Sequence, residues 1–292
     1  MMTACCRHPE RVKTIVSSAS WLRNAKNNSV TKNKPGVSER LPVRRRRKNS
    51  SMPKRYIRCF SDLIIALALL GSTLCAAADS ALAYGKVATT PGGTGKTFAG
   101  REIAQVMSWH GAAWLERAER GTEERPDLLL PLLPIRPGMV VADIGAGSGY
   151  YSRRIAPRLA PGGRVIAVDV QPEMITLLKK QIAESKIPNI DTVLATETDC
   201  KLPAESIDLA LFVDVYHELL YPIETMGCIR RALKSGGQIA LVEFRAEDAS
   251  VPIKPQHKMS EAQIKKEAAL LGLQWVTTIS SLPWQHLVLL KK

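Results

Sequence analysis

The body of this chain lacks net charge, although the whole 292-residue sequence carries +14. Residues 1–60 contain sixteen lysines and arginines but only two acidic residues, so the whole excess lies in that segment. Aromatic residues are also scarce, at 5% of the sequence. A body without a basic surface or a stacking platform lacks the usual means of binding nucleic acid. The composition therefore argues against DNA or RNA as a partner.

Cysteine is sparse outside the N-terminal segment. Four of the six cysteines precede residue 79, and only Cys200 and Cys228 follow it. Two cysteines cannot form a disulfide scaffold, and no histidine, cysteine and carboxylate cluster has the spacing of metal ligands, so we expect no metal site. Cys200 and Cys228 are either small core residues or the two halves of one disulfide formed after export.

No apolar run reaches the roughly 20 residues that cross a bilayer. The candidate run, residues 63–74, follows the basic segment 52–58 and precedes Ala76-Ala77-Ala78. This order of basic, apolar and small residues is typical of a secretory signal peptide. Residues 52–78 are therefore predicted to be a signal peptide cleaved after Ala78, which leaves no membrane span in an exported or periplasmic protein.

Residues 1–51 are basic and poor in apolar side chains, so we expect a disordered leader. Met52 is the expected start of the protein, with residues 1–51 as upstream sequence. A two-part organellar leader is an alternative, because the same segment is rich in basic residues and serine. A cytoplasmic location follows if neither signal is used.

The remaining chain divides into three parts. Residues 79–100 are rich in Ala, Thr and Gly and are predicted to be a linker. Their glycines miss the phosphate-loop pattern, because Thr90 stands where that pattern requires glycine. Apolar spacing predicts an N-terminal helical cover over residues 101–134, and residues 135–292 form the main domain.

Strand and helix patterns alternate in this main domain. Apolar runs predict strands at residues 139–144, 164–169, 190–195, 207–213, 238–243, 273–279 and 284–290. Helical patterns lie between them, and a capping box at Ser260-Glu-Ala-Gln263 predicts the start of the last helix. The alternation predicts an α/β fold: a doubly wound, mostly parallel sheet with helices on both faces.

A glycine-rich turn follows the first of these strands. After Asp143 come Gly145, Gly147 and Gly149, which allow a tight turn and a close approach of backbone to a ligand. A dinucleotide-binding loop requires another glycine at the position of Tyr150. The turn therefore favours a ligand that is not a dinucleotide.

Acidic residues follow the next three strands. Asp169 ends the second strand, where a carboxylate can bind ribose hydroxyls. Asp199 begins Asp-Cys-Lys-Leu-Pro after the third strand, and Asp214 lies in Val-Asp-Val-Tyr-His-Glu after the fourth. With the glycine turn, this ordered set resembles the class I S-adenosylmethionine-dependent methyltransferases over residues 135–292. Segments 98–117 and 244–259 resemble one uncharacterised branch of these enzymes.

The resemblance implies a seven-stranded Rossmann-like sheet with an antiparallel last strand, and S-adenosylmethionine as the cofactor. The glycine turn would pack along the methionine portion of the cofactor, with Asp143 near its amino group. Asp169 would bind the ribose hydroxyls and Asp199 the adenine amine. The expected cofactor-binding set is Asp143, Gly145, Ala146, Gly147, Gly149, Asp169, Val170, Asp199 and Asp214. From the residues alone, Asp143 has holding the turn as its alternative, and Asp214 has capping a helix.

Candidate residues for the methyl acceptor follow the fourth and fifth strands. His217 is expected to act as a general base if the acceptor must lose a proton, because imidazole titrates near neutral pH. Its alternative is a structural histidine that hydrogen-bonds a loop, which is also the expectation for His257 and His286. The expected acceptor contacts are Tyr216, Glu243 and Arg245, of which the last two have mutual pairing as their alternative.

These features predict methyl transfer to a small-molecule acceptor. One alternative is a non-catalytic binder of S-adenosylmethionine or its product, because an exported protein lies where that cofactor is not expected to be supplied. The other is a dinucleotide-dependent oxidoreductase, which Tyr150 disfavours. The sequence indicates neither the acceptor atom nor the oligomeric state.

Overall fold

The computed structural model describes residues 82–292 of the chain. The predicted leader (1–51) and the predicted signal peptide (52–78) lie outside the described residues. No helix of the described part is long and apolar enough to cross a membrane.

The first described elements form a small antiparallel sheet. It consists of β1 (Tyr84–Lys86), β2 (Gly93–Phe98) and β3 (Arg101–Ala104), paired in the order β1-β2-β3. The prediction of a linker over residues 79–100 is therefore wrong for these strands. The prediction of helix is likewise wrong for residues 101–104.

A two-residue turn between β2 and β3 explains the error. Its residues, Ala99 and Gly100, both have positive φ, as one of the favoured hairpin turns requires. Phe98 and Ile103, on either side of the turn, are fully buried in the apolar core. The burial of these two side chains stabilises the hairpin. Its Ala-Gly turn is a weaker sequence signal for a hairpin than Asn-Gly or Asp-Gly.

Three short helices follow, α1 (Ala112–Leu115), α2 (Arg120–Glu123) and α3 (Pro126–Leu132), after a 3-10 turn at Trp109–Gly111. The predicted helical cover of residues 101–134 is thus helical only in part. Gly111 precedes α1 and Pro126 begins α3, so the sequence itself divides the segment into short pieces.

The main sheet contains seven strands. They are β4 (Val140–Ile144), β5 (Arg164–Asp169), β6 (Ile190–Leu194), β7 (Ile207–Val213), β8 (Leu233–Phe244), β9 (Gln274–Ile279) and β10 (Gln285–Lys291). Their order is β6-β5-β4-β7-β8-β10-β9, and β10 runs antiparallel to both of its neighbours. The other neighbouring strands pair in parallel. The predicted seven-stranded, mostly parallel sheet is confirmed.

Four longer helices accompany this sheet. They are α4 (Tyr150–Leu159), α5 (Pro172–Ser185), α6 (Pro222–Ala232) and α7 (Glu261–Leu270). Proline in the first turn of α5 and of α6 loses no intrahelical hydrogen bond there. Ser260 caps α7 by accepting a hydrogen bond from the backbone N–H of Gln263, which confirms the predicted start of that helix.

Both faces of the main sheet are buried. Along β7, Leu209 and Leu211 belong to one apolar cluster, whereas Ala210 and Phe212 belong to the other. Alternate residues of a strand point to opposite faces, so a continuous apolar run is what a doubly covered parallel strand needs. Because β4 lies between β5 and β7, the strand order reverses there, and ligands bind beyond the carboxyl ends of strands at such a point.

Candidate active site

A large cavity lies at the carboxyl ends of β4, β5 and β7. Its volume is about 810 Å³, within the range of about 300–1,000 Å³ found for small-molecule sites. The strand ends contribute Ile144, Gly145, Val168, Asp169, Val170, Val213, Asp214 and Val215 to its wall. The cavity therefore occupies the place where this type of sheet binds a ligand.

The glycine turn after β4 forms one wall of the cavity. Gly145 and Gly147 line it, with φ of +66° and +55°. A Cβ added to Gly145 would lie 2.6 Å from Cγ1 of Val215, so the turn has no room for a side chain there. Ala146 and Gly149 belong to the same turn, but neither belongs to the wall that the described residues form.

Asp169 connects the glycine turn to the end of β5. Its Oδ2 accepts a hydrogen bond from the backbone N–H of Gly147 at 2.9 Å, and its Oδ1 accepts one from that of Gln171 at 2.9 Å. Burial raises the pKa of Asp169, although these backbone donors oppose the effect. Asp169 and Val170 both line the cavity. The main chain thus holds this carboxylate in place, with lone pairs left for a ligand.

Asp143 contacts the protein rather than the cavity. The hydroxyl of Ser152 donates a 2.6 Å hydrogen bond to its Oδ2, which joins β4 to α4. Burial raises the pKa of Asp143 to about 6, although the Ser152 hydrogen bond and the charge of Arg120 oppose this shift. The cavity wall of the described residues does not include Asp143, and its contact with the cofactor's amino group stays a prediction.

The buried Asp143 carboxyl should make stability fall as pH rises. The folded chain keeps this proton up to a pKa of about 6, whereas an unfolded chain releases it near 3.9. Below both values the group has no effect, and above both it lowers the unfolding free energy by about 3 kcal/mol. Relative to Asp143→Asn, the wild type should lose about 2 kcal/mol of unfolding free energy between pH 4 and pH 7 in urea unfolding, because part of the effect is already present at pH 4. A difference that stays constant over this range would contradict the assignment.

The loop after β6 contributes another wall. Thr196 and Glu197 line the cavity, and the hydroxyl of Thr225 donates a 2.8 Å hydrogen bond to the carbonyl of Glu197. Asp199 instead binds Lys201. Its Oδ2 lies 2.7 Å from Nζ of Lys201, and its Oδ1 accepts a hydrogen bond from the backbone N–H of Lys201. Among the described residues, Thr196 and Glu197 belong to the cavity wall and Asp199 does not, and the contact of Asp199 with the adenine stays a prediction.

Cys200 and Cys228 form a disulfide that joins this loop to α6. Both residues are buried, and Cys200 lines the cavity. Of the two alternatives open from the sequence, the structure has the bridge. The crosslink ties the loop to the helix and also restricts the unfolded chain.

Buried charges surround Asp214, the residue after β7. Its Oδ2 accepts a 2.7 Å hydrogen bond from Gln285, whereas its buried Oδ1 has no hydrogen-bond partner among residues 82–292. Arg120 also lines the cavity and pairs with Glu124 at 2.7 Å. Burial, then the carboxylates of Glu124 and Glu243, raise the pKa of Asp214 well above its ordinary value. An oxygen without a partner on a cavity-lining residue suits an ammonium group of a ligand, whose positive charge would oppose this pKa rise and favour the ionised carboxylate.

Two histidines and a glutamate line another part of the cavity, with a second glutamate, Glu243, behind them. Nδ1 of His217 lies 2.5 Å from Oε2 of Glu243, and its Nε2 lies 3.1 Å from Nδ1 of His257. Oε1 of Glu218 lies 3.3 Å from Nδ1 of His257. Burial lowers the pKa of His217, but the Glu243 carboxylate and its hydrogen bond outweigh that effect and raise it. His217, Glu218 and His257 all line the cavity.

The three expected acceptor contacts lie elsewhere. Tyr216 is buried, and its hydroxyl donates a 2.8 Å hydrogen bond to Glu267. Glu243 accepts from the backbone N–H of Tyr216 and orients His217. Arg245 donates to carbonyls in the segment 282–285 and lies 3.3 Å from Asp248. Within the described residues, none of the three belongs to the cavity wall.

The segment before α1 also contributes to the cavity wall. No sequence motif predicted the contacts that hold this segment in place. Gln171 accepts a 2.9 Å hydrogen bond from the backbone N–H of Trp109 and donates one to the carbonyl of Met107. Oε2 of Glu218 accepts from the backbone N–H of Met107 at 3.3 Å. From this N-terminal part, Thr94, Ala104, Gln105, Val106, Met107, Trp114, Leu115 and Arg120 line the cavity.

A family model described as a methyltransferase domain matches residues 142–241, which run from β4 into β8. The matched residues include the glycine turn after β4 and the carboxylate at the end of β5, so this part of the chain is similar to that family.

Similar proteins agree with this family. The chain is 34% identical over 113 residues to an uncharacterized methyltransferase-like protein of Schizosaccharomyces pombe, covering 39% of this chain and 41% of the relative. It is 28% identical over 116 residues to a ubiquinone/menaquinone biosynthesis C-methyltransferase of Hydrogenovibrio crunogenus, covering 39% of this chain and 46% of the relative. The chain thus spans less than half the length of these curated relatives.

A solved structure shows the same fold. The S-adenosylmethionine-dependent methyltransferase of Aquifex aeolicus matches with a TM-score of 0.60 at 20% identity, covering 63% of this chain and 98% of that one. At this identity the likeness concerns the fold.

Proposed function

We propose that this protein transfers the methyl group of S-adenosylmethionine to a small-molecule acceptor. The observation that carries the proposal is the meeting of the Gly145–Gly147 backbone and the Asp169 carboxylate in one cavity at the strand-order reversal. In this proposal the turn holds the methionine portion of the cofactor and Asp169 its ribose. The Oδ1 of Asp214, which has no hydrogen-bond partner among residues 82–292, accepts from the cofactor's ammonium group once the carboxyl is ionised.

The proposed reaction needs positioning more than it needs a reactive protein group. A lone pair of the acceptor forms a bond to the methyl carbon, while the bond from that carbon to the sulfonium sulfur breaks. The electron pair of the broken bond stays on the sulfur of S-adenosylhomocysteine. Holding the two reactants in line and excluding water supplies much of the acceleration. Apolar side chains such as Ile144, Val168 and Leu115 line the cavity and favour that exclusion.

Binding of S-adenosylhomocysteine tests the cofactor assignment. Asp169→Asn should weaken binding about 10- to 100-fold, because hydrogen bonds to a charged group contribute about 1.5–3 kcal/mol. Asp191→Asn is the matched control, since Asp191 is an exposed β6 carboxylate paired with Arg164. Calorimetry of both variants measures the effect. Equal loss in the two variants, or binding of NADH without S-adenosylhomocysteine, would contradict the proposal.

Turnover separates an enzyme from a non-catalytic binder. We expect the wild type to release S-adenosylhomocysteine when a panel of small oxygen, nitrogen, sulfur and carbon acceptors contains a substrate. Tight binding of the cofactor with no release across such panels would favour the binder.

We also propose that the protein is exported. The predicted signal peptide motivates this, and the disulfide between Cys200 and Cys228 supports it, because disulfides persist mainly in oxidising compartments.

A further inference from the structure

Three side chains with metal-binding atoms converge in the cavity, on residues that the cofactor assignment does not use. We propose that His217, Glu218 and His257 form a binding site for a divalent transition-metal ion of the Zn²⁺ type. The sequence predicted no metal site, because His257 lies 40 residues from His217 and only the fold brings them together.

The separations of the three atoms are those of ligands around one ion. His217 Nε2 lies 3.1 Å from His257 Nδ1 and 3.8 Å from Glu218 Oε1, and the last two atoms are 3.3 Å apart. Ligands that bind Zn²⁺ tetrahedrally at about 2.1 Å lie about 3.4 Å from one another. An ion between these atoms requires only small movements of the side chains.

The orientation of the His217 ring also suits a metal ion. The Glu243 carboxylate lies 2.5 Å from Nδ1 of His217, so Nε2 is the ring atom that faces Glu218 and His257. Histidine nitrogens and carboxylate oxygens are both common Zn²⁺ ligands.

The surrounding contacts fix the ligands before an ion arrives. A histidine that binds a metal almost always donates its other N–H to a partner such as a carboxylate, and Glu243, at 0% exposure, is that partner for His217. Glu243 is itself held by the backbone N–H of Tyr216. The other oxygen of Glu218 is held by the backbone N–H of Met107.

The charges around the site favour a divalent cation. Glu218 and Glu243 carry two carboxylates. Arg101 approaches His217 but donates to its backbone carbonyl and pairs with Glu267 at 2.8 Å. Lys254 is an exposed residue on the rim of the same cavity. The positive charge of Arg101 is thus already neutralised by the carboxylate of Glu267.

Two histidines and one carboxylate are a ligand set that leaves coordination positions open. Because all three residues line the cavity, an acceptor with an oxygen or sulfur donor can complete the coordination, and the ion would lower the pKa of that donor. This role rests on the proposed function, whereas binding of the ion does not. With the ion bound, His217 is a ligand and not the general base.

Equilibrium dialysis of the full chain against Zn²⁺, with any histidine tag removed, tests the site. The wild type should bind one more Zn²⁺ than His257→Ala or Glu218→Gln. The difference is the measured quantity, because residues 1–81 contain four cysteines and His8, which can bind Zn²⁺ themselves. Glu243→Gln keeps the three ligands and should weaken the site about 10- to 100-fold.

His110→Ala is the control, because His110 is an exposed histidine outside the cluster. It should bind Zn²⁺ as the wild type does. S-adenosylhomocysteine binding is measured on the same samples to show that each variant is folded. Zn²⁺ loss in a variant that retains this binding supports the site, and equal Zn²⁺ binding by the wild type and His257→Ala overturns it. Failure of the wild type to bind S-adenosylhomocysteine while it binds Zn²⁺ would contradict the proposed function and leave the metal site supported.

Discussion

Gly145→Ala should weaken binding of S-adenosylhomocysteine at least about 100-fold while the chain remains folded. Gly145 has φ of +66°, where an L residue costs about 1–2 kcal/mol. Its added Cβ would also lie 2.6 and 2.7 Å from the two methyl carbons of Val215. Valine is stiff about χ1, so the clash must move the backbone of the turn. Loss of two hydrogen bonds from the turn and from Asp169, about 3 kcal/mol, corresponds to about 100-fold.

Gly138→Ala separates backbone strain from the clash. Gly138 also has positive φ, +86°, but no atom of the described residues would lie within 4 Å of its added Cβ. Gly138→Ala should lose about 1–2 kcal/mol of unfolding free energy, and Gly145→Ala should lose more because of the added clash, but only Gly145→Ala should lose the ligand. Urea unfolding and calorimetric titration measure the two effects. Equal ligand affinity for the two variants would mean that the turn does not contact the cofactor.

Arg120→Ala should lower the unfolding free energy by about 3–5 kcal/mol. Arg120 and Glu124 are 3% and 0% exposed, and their Nε and Oε2 atoms lie 2.7 Å apart. Removal of the guanidinium leaves a buried carboxylate with one fewer partner and also removes a 2.9 Å hydrogen bond to the carbonyl of Leu115. Arg117, 2.8 Å from Glu124, remains and places the loss toward the lower end of the range.

Arg125→Ala is the matched control for this ion pair. Arg125 pairs with Asp127 at the same 2.7 Å, but the two side chains are 40% and 60% exposed. Exposed pairs contribute about 0–1 kcal/mol, because water screens them and the side chains lose entropy. Urea unfolding of both variants gives the comparison. If Arg120→Ala were no more destabilising than Arg125→Ala, the buried cluster would not stabilise the fold.

The main sheet could be predicted because its signals are local. Continuous apolar runs such as Ile207–Val213 indicate strands that are covered on both faces. The four-residue capping box that begins at Ser260 indicates the start of α7. The hairpin of β2 and β3 was missed, because its turn is Ala99-Gly100 and its stability comes from burial against distant elements. Propensity alone gives no account of such tertiary contacts.

The candidate site likewise contains residues whose place could be predicted from the sequence and residues whose place could not. Gly145, Asp169 and Val170 lie at the cavity because motifs at strand ends meet at one edge of a parallel sheet. Their roles in cofactor binding stay predictions. Asp143 lies near the end of β4 and Asp199 follows β6, but one binds Ser152 and the other Lys201. A motif does not show which way a side chain turns.

By itself the sequence determined the sheet, the helices around it and the edge at which a ligand binds, because periodicity and turn chemistry act over a few residues. Only the tertiary structure decided which charged side chains share a cavity. His257 meets His217 from 40 residues away, and Asp214 is bound by Gln285 from 71 residues away. The chain path sets these contacts, and burial gives them their strength, since charges removed from water interact strongly with their few remaining neighbours.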